Sequence, residues 1–309
     1  MNKPQKLQRG MTIGFVAPSG APRNSEVLPR MVKFWEDKGY RIIVGESCTS
    51  KHGYLAGTDD VRAGDLNRFF ADPQVDAIFC IRGGYGAARI LPLLDYDMIR
   101  RNPKIFVGYS DITALHGALN RYGQLVTFHG PMGDLPANME HLPVSLASLE
   151  QALTAEDGYE LINPPGFEKI TLQSGIARGE IVGGNLTLIA HSLGTPYAPD
   201  FAGKILFLED ISEKTYRVDE MLVNLKYAGA FDQCAGILLG EFTDCETEDP
   251  AFGLSMDDIL AEIGFPKHKP ILKGIRAGHC NPKLTIPFGV SCEMDADRKI
   301  IRLLEGAVQ

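Results

Sequence analysis

The strongest constraint in this sequence is an alternation in its first half. Short, unbroken apolar runs are each followed by a stretch with helical spacing. The runs cover 12–17, 41–44, 76–81, 105–108 and 126–129. Ala77-Ile78-Phe79-Cys80-Ile81 shows no polar alternation, the pattern of a strand buried on both faces of a parallel sheet. The intervening stretches 26–38, 59–70, 87–94, 96–101 and 112–122 read as helices. Val32 and Trp35 give the first of them an apolar face, so Trp35 reads as core rather than as a ligand-stacking residue. Thr58-Asp59-Asp60 opens the second with acids where the helix dipole favours them. Strands alternating with helices at this spacing build βαβ units, and the expected fold class is α/β with a doubly wound, flavodoxin-like parallel sheet. Ligands of such sheets bind beyond the carboxyl ends of the strands. The segments after 81 and after 108 are therefore the first places to look for function.

A helical stretch at 143–153 and a polar stretch containing Pro164-Pro165 follow. Beyond them strands are expected at 176–182, 205–208, 235–239, 271–273, 284–286, 291–294 and 300–303, with helices at 185–193, 218–228 and 256–263. A chain of 309 residues exceeds the usual size of one core. The expected organisation is an N-terminal α/β domain over 1–155 and a smaller, mixed α/β domain over 156–309.

Charge narrows the partners. The formal charge is −8, with no basic run, so nothing is available to neutralise phosphates or to attract an anionic membrane. The first ten residues lack an apolar segment and no apolar run reaches membrane-spanning length, which leads to a cytoplasmic expectation. Six cysteines are scattered without a C-x-x-C pair and read as reduced thiols. His279-Cys280 has no second pair at ligand spacing, so zinc is not expected.

Two glycine-rich turns lie where the sheet should present ligands. Arg82-Gly83-Gly84-Tyr85-Gly86 closes the third strand but lacks the spacing of a nucleotide-binding loop. Gly108-Tyr109-Ser110-Asp111 closes the fourth. A strand–serine–helix turn pushes the hydroxyl out at the sheet end and aims the first helical amides at whatever it attacks. The spacing is only G-x-S, so a serine capping a helix is the plain alternative. A nucleophilic serine needs a base and an orienting acid. Of seven histidines, His279 sits in a glycine-flanked loop between two strands, and His129, at a strand end of the first sheet, is its rival. His116, on the helix after Ser110, should point away from the hydroxyl. Glu209 directly follows the apolar run Leu206-Phe207-Leu208, where a carboxylate is costly unless paired. Capping the next turn, or pairing with an arginine, is its structural alternative. Gly183-Gly184-Asn185 precedes a helix and reads either as a close approach to ligand or as a tight turn.

Together these segments resemble the LD-carboxypeptidase family, the serine peptidases of murein recycling. The resemblance rests on Gly14-Phe15-Val16-Ala17-Pro18-Ser19-Gly20, Gly57-Thr58-Asp59 with Arg62-Ala63, Arg82-Gly83-Gly84-Tyr85-Gly86 and Gly108-Tyr109-Ser110-Asp111. It continues through Gly183-Gly184-Asn185-Leu186, Leu208-Glu209-Asp210 and Gly278-His279, in family order. It implies Ser110 as nucleophile, His279 as general base and acid, Glu209 as the acid orienting His279, and the backbone amides of Gly84 and Asp111 as the oxyanion hole. It also implies a murein tetrapeptide as substrate and a homodimer. By position, Arg82, Gly83, Tyr85 and Asn185 are candidates for holding the peptide. Two other readings stand beside this one. The first is a microcin C-type immunity peptidase cleaving aminoacyl-nucleotides. The second is a non-catalytic binding protein on the same scaffold.

Overall fold

The computed structural model describes residues 1–22, 24–132, 140–246 and 253–309. The first half builds β1 (Thr12–Val16), α1 (Val27–Asp37), β2 (Arg41–Val44), α2 (Asp59–Ala71), β3 (Ala77–Cys80), α3 (Ala87–Ile90), α4 (Tyr96–Arg101), β4 (Ile105–Gly108), α5 (Thr113–Arg121), β5 (Thr127–His129) and α6 (Leu142–Thr154). The apolar runs become strands for the expected reason: every residue of β1, β3 and β4 is buried. Trp35 is core, 2% exposed, with its ring edge-on to Phe79 at 5.1 Å. Thr58 caps α2 by accepting from the Val61 amide at 3.4 Å.

Strands β2-β1-β3-β4-β5 run in that spatial order and all pair parallel, the flavodoxin-like order. The turns after β1, β3 and β4 thus meet at one edge of the sheet.

The second half builds β6 (Ile170–Gln173), β7 (Ile176–Asn185), α7 (Leu186–Ser192), β8 (Ile205–Ile211), α8 (Thr215–Tyr227), α9 (Ala230–Gln233), β9 (Gly236–Thr243), α10 (Met256–Glu262), β10 (Ile271–Lys273), β11 (Ile286–Phe288), β12 (Ser291–Asp295) and β13 (Ile300–Leu303). Its sheet has the order β13-β12-β7-β8-β9-β10-β6. The centre, β7 to β10, is parallel, and β12, β13 and β6 join antiparallel. This is the mixed α/β arrangement expected.

Two features differ from expectation. Strand β6 lies where no strand was expected, because its residues alternate between exposed and half-buried at a sheet edge and carry no continuous apolar signal. Strand β11 leaves the second half and pairs antiparallel with β5, placing Ile286 opposite His129. A division at 155 therefore separates the two sheets except at this strand. One apolar cluster runs through both, with Phe79, Val107 and Phe128 from the first sheet and Phe207, Leu238 and Phe288 among its later members.

Candidate active site

Ser110 follows β4 in a left-handed backbone conformation, with φ of 65°. For a residue bearing a Cβ this costs about 1–2 kcal/mol, and it persists only where the surroundings impose it. Ser110 to Ile112 form a 3-10 turn leading into α5. The loop after β3 lies directly against this turn. A methyl group on Gly83 would stand 2.8 Å from Ser110 Cβ, 3.0 Å from its Oγ and 3.3 Å from the Asp111 amide nitrogen. Only glycine allows that approach. The loop after β1 buttresses it from behind, with the Gly20 amide donating to the Gly83 carbonyl at 3.0 Å.

Glu209 stands on β8, where the register with β9 shifts between Leu208 and Asp210. Such an irregularity re-aims side chains at strand ends. The two neighbouring carboxylates do different things. Asp210 accepts from Asn185 Nδ2 at 2.8 Å and from the Thr187 amide at 2.9 Å, anchoring the start of α7. Glu209 is fully buried and turns to His279. Its Oε2 accepts from the His279 amide at 3.0 Å and lies 2.7 Å from His279 Nδ1. With Nδ1–H donated to the carboxylate, Nε2 is the basic nitrogen of the neutral ring. The His279 carbonyl accepts from Thr243 Oγ1 at 2.7 Å, which fixes the loop. The His279 ring packs on the ring of Tyr109, the residue before Ser110, with centroids 4.9 Å apart. The His279 loop of the second half thus meets the turn after β4 at Tyr109.

The two histidines of the first sheet and its following helix, His129 and His116, are both buried. His116 is fully buried with Nε2 2.9 Å from the Gly108 carbonyl, and burial lowers its pKa to about 4. The ring of His129 is packed among His116, Phe207 and Phe288. Neither of its nitrogens has a hydrogen-bond partner among the described residues, Ser110 included, and burial holds it well below the usual imidazole range. His129 is therefore poorly suited to be the base.

The substrate-side candidates divide. Gly83 touches Ser110. Arg82, half-buried, donates to the Ala21 carbonyl and supports the loop from beneath. Tyr85 is 56% exposed and stands edge-on to the still more open Tyr54, 5.7 Å between centroids. Asn185 differs from expectation. It is 4% exposed and caps α7 by accepting from the Leu188 amide at 3.3 Å, while its own backbone amide donates to the Thr113 hydroxyl at 3.0 Å. With its Asp210 contact, this makes it a joint between α5, α7 and β8, because a buried amide must have its bonds satisfied.

Sequence reasoning gave no role to two residues near the site, although Arg62 lies in one of the segments that carry the resemblance. Lys283 is buried, donates to the Tyr109 hydroxyl at 3.0 Å and lies 4.2 Å from that ring's centroid. Its only cue was its place four residues beyond His279. Arg62 is fully buried and reaches the turns after β1 and β3. Among the described residues no group of three or more His, Cys, Asp or Glu is arranged to hold a metal ion.

A hydroxyl in a strained turn backed by a glycine loop and a carboxylate–imidazole pair are the parts that acyl transfer uses, and here the imidazole packs on Tyr109, the residue before that hydroxyl. Comparison with known proteins agrees in class. Residues 13–130 match the pattern described as the LD-carboxypeptidase N-terminal domain, and residues 178–294 match its C-terminal domain. The chain belongs to the LD-carboxypeptidase family. Within it, the chain is 40% identical over 299 residues to a Bacillus subtilis protein described as "Probable murein peptide carboxypeptidase", covering 96% of this chain and 92% of that one. Its fold is similar to the muramoyltetrapeptide carboxypeptidase from Oxalobacter formigenes, at a TM-score of 0.81 and 29% identity, covering 95% of this chain and 98% of that one. It is also similar to the microcin C7 self-immunity protein MccF, at a TM-score of 0.90 and 29% identity over the whole of both chains. Membership of the LD-carboxypeptidase family makes this a hydrolase of the peptidase class. No helix among the described residues is long and apolar enough to cross a membrane.

Proposed function

We propose that this protein is a serine LD-carboxypeptidase that hydrolyses the amide between an L-centre, meso-diaminopimelate or lysine, and the terminal D-amino acid of murein tetrapeptides. The observation that carries the reading is the buried Glu209 on His279 Nδ1 at 2.7 Å, with that ring packed against Tyr109, whose chain neighbour is the strained Ser110. Ser110 Oγ attacks the scissile carbonyl while His279 Nε2 takes its proton. Glu209 stabilises the imidazolium. The developing oxyanion accepts from the Gly84 and Asp111 amides, each worth about 3–4 kcal/mol of barrier lowering. His279 then protonates the leaving amine, the D-amino acid departs, and water hydrolyses the acyl-enzyme. In this reading Gly83 and Tyr85 contact the peptide, and Arg82 supports their loop through the Ala21 carbonyl. Cytoplasmic peptidoglycan recycling by a homodimer, without metal or cofactor, belongs to the same reading.

The likeness to MccF supports a second substrate class, and the exposed Tyr54–Tyr85 pair offers an aromatic surface beside the loop. One experiment separates the two. D-Alanine release from L-Ala-D-Glu-meso-diaminopimelate-D-Ala is compared with cleavage of an aspartyl sulfamoyl adenosine, in wild type and in Ser110→Ala, His279→Ala and Glu209→Gln. The expected result is D-alanine release at a kcat/KM far above that for the nucleotide, and losses of about 10⁴–10⁶ in kcat, least for Glu209→Gln. Preferred cleavage of the nucleotide would transfer the site to the second class. Binding without turnover of either compound, with Ser110 unlabelled by a serine-directed phosphonate, would leave a binding protein.

A further inference from the structure

We propose that Arg62 and Asp111 form a buried brace that sets the distance between the two amides of the oxyanion hole, and that they are positioning residues for the reaction. The inference rests on the reading of Ser110 as nucleophile and of the Gly84 and Asp111 amides as oxyanion donors. It concerns two side chains to which that reading gives no task.

The two donors come from different loops. Gly84 follows β3, whereas Asp111 follows β4. No hydrogen bond within one secondary element can hold their separation, so something must tie the loops together. The Asp111 carboxylate is 2% exposed and does so directly: its Oδ2 accepts from the Ala87 amide at 2.8 Å, three residues beyond Gly84. Arg62 completes the tie from below. It is fully buried, an expensive place for a guanidinium unless its donors are used. One of its terminal nitrogens donates to the Pro18 carbonyl at 2.5 Å and to the Gly86 carbonyl at 2.8 Å. The other pairs with Asp59, which in turn holds Arg89 through bonds of 3.0 and 2.8 Å.

Pro18 leads into Gly20, whose amide bonds the Gly83 carbonyl. Arg62 therefore grips the oxyanion loop on both sides of Gly83-Gly84, at Gly86 directly and at Gly20 through the β1 turn. Burial raises the pKa of Asp111, and the Ser19 side chain, the Ala87 amide and the nearby Arg62 charge pull it back. The planar fork of arginine suits this task, since it bonds two carbonyls and a carboxylate from fixed directions, whereas a lysine ammonium has no such plane.

A brace of this kind acts on the transition state. Loosening it should weaken binding of an oxyanion and leave ground-state binding alone. The test uses the full chain with Arg62→Ala, Arg62→Lys and Asp111→Ala. The readouts are kcat, KM, melting temperature, and affinity for two probes. One probe is a substrate-like peptide boronic acid, whose boron bonds a serine oxygen and places a boron-bound oxygen in the hole. The other is the tripeptide product.

The expected result is a loss of about 10²-fold in kcat and a parallel loss in boronate affinity, with KM and product affinity within about threefold of wild type. Guanidinium ion at millimolar concentration should restore Arg62→Ala at least about tenfold, and methylammonium should not. If Arg62→Ala does not accumulate folded, Arg62→Lys and Asp111→Ala carry the test. Folded variants with wild-type kcat overturn the brace. So do variants in which kcat, product affinity and melting temperature fall together, because that is the mark of general loosening. A wild-type protein that neither turns over the tetrapeptide nor binds the boronate fails at the earlier reading of Ser110, and the two failures are distinct.

Discussion

Gly278 is the position at which a single methyl group tests the carboxylate–imidazole pair. It has φ of +97°, and a Cβ built there would stand 2.5 Å from Glu209 Cγ and 2.6 Å from its Cδ. Ordinary contacts begin near 3.4 Å and the nearest carboxyl atom, Oε2, would stand at 2.3 Å, so the carboxyl group must retreat by about 1.1 Å. Glu209 is fully buried and cannot swing into solvent. Retreat stretches or breaks both of its bonds to His279, at 3.0 and 2.7 Å. In Gly278→Ala the positive φ costs about 1 kcal/mol and the crowding about 1–3 kcal/mol more. Activity should suffer far more. Displacement of a catalytic group by about 1 Å costs about 10²-fold, and loss of the orienting acid about 10⁴-fold, so kcat should fall between these limits. Gly166→Ala is the control, since Gly166 has φ of +88° and a methyl group added there would meet nothing within 4 Å. It carries the same backbone strain without the clash. The assay is kcat for D-alanine release, with melting curves of both variants. If Gly278→Ala retained kcat within about threefold of Gly166→Ala, the coupling of Glu209 to His279 would have no part in the reaction and the argument would be refuted.

Two further outcomes follow from burial. The native imidazole of His116 titrates near pH 4 against 6.5 for an ordinary histidine, so the unfolded chain takes up its proton first. Stability present above pH 6.5 should fall as the pH drops towards about 4, by up to about 3 kcal/mol from this residue. Urea midpoints across that range should show the slope, and His116→Gln should reduce it; an unchanged slope would refute the assignment. The six cysteines are all buried. Burial pushes Cys48, Cys280 and Cys292 up to about 12 and Cys234 and Cys245 to about 11, and raises Cys80 well above its usual value. A thiol-disulfide reagent should label none in the native protein and six on denaturation; rapid native labelling of any one would contradict it.

The sequence by itself determined the parallel sheet, because five apolar runs at βαβ spacing leave few alternatives. It also placed Ser110 and Gly83-Gly84 at strand carboxyl ends, since that follows from strand polarity alone. The order Ser110, Glu209, His279 became legible only through a family resemblance, because residues 99 and 169 positions apart carry no local signal of contact. The tertiary structure decided three matters. It left the buried ring of His129 without a hydrogen-bond partner among the described residues and paired His279 with Glu209, a difference that residue type alone does not carry. It assigned Asn185 to a joint and Glu209 to His279, because a register shift in β8 turns adjacent carboxylates to different partners. It brought β11 back onto the first sheet and Arg62 against the glycine loop after β3. Both are long-range pairings whose stabilisation arises from desolvation and packing among segments far apart in the chain, and no window of sequence contains both partners.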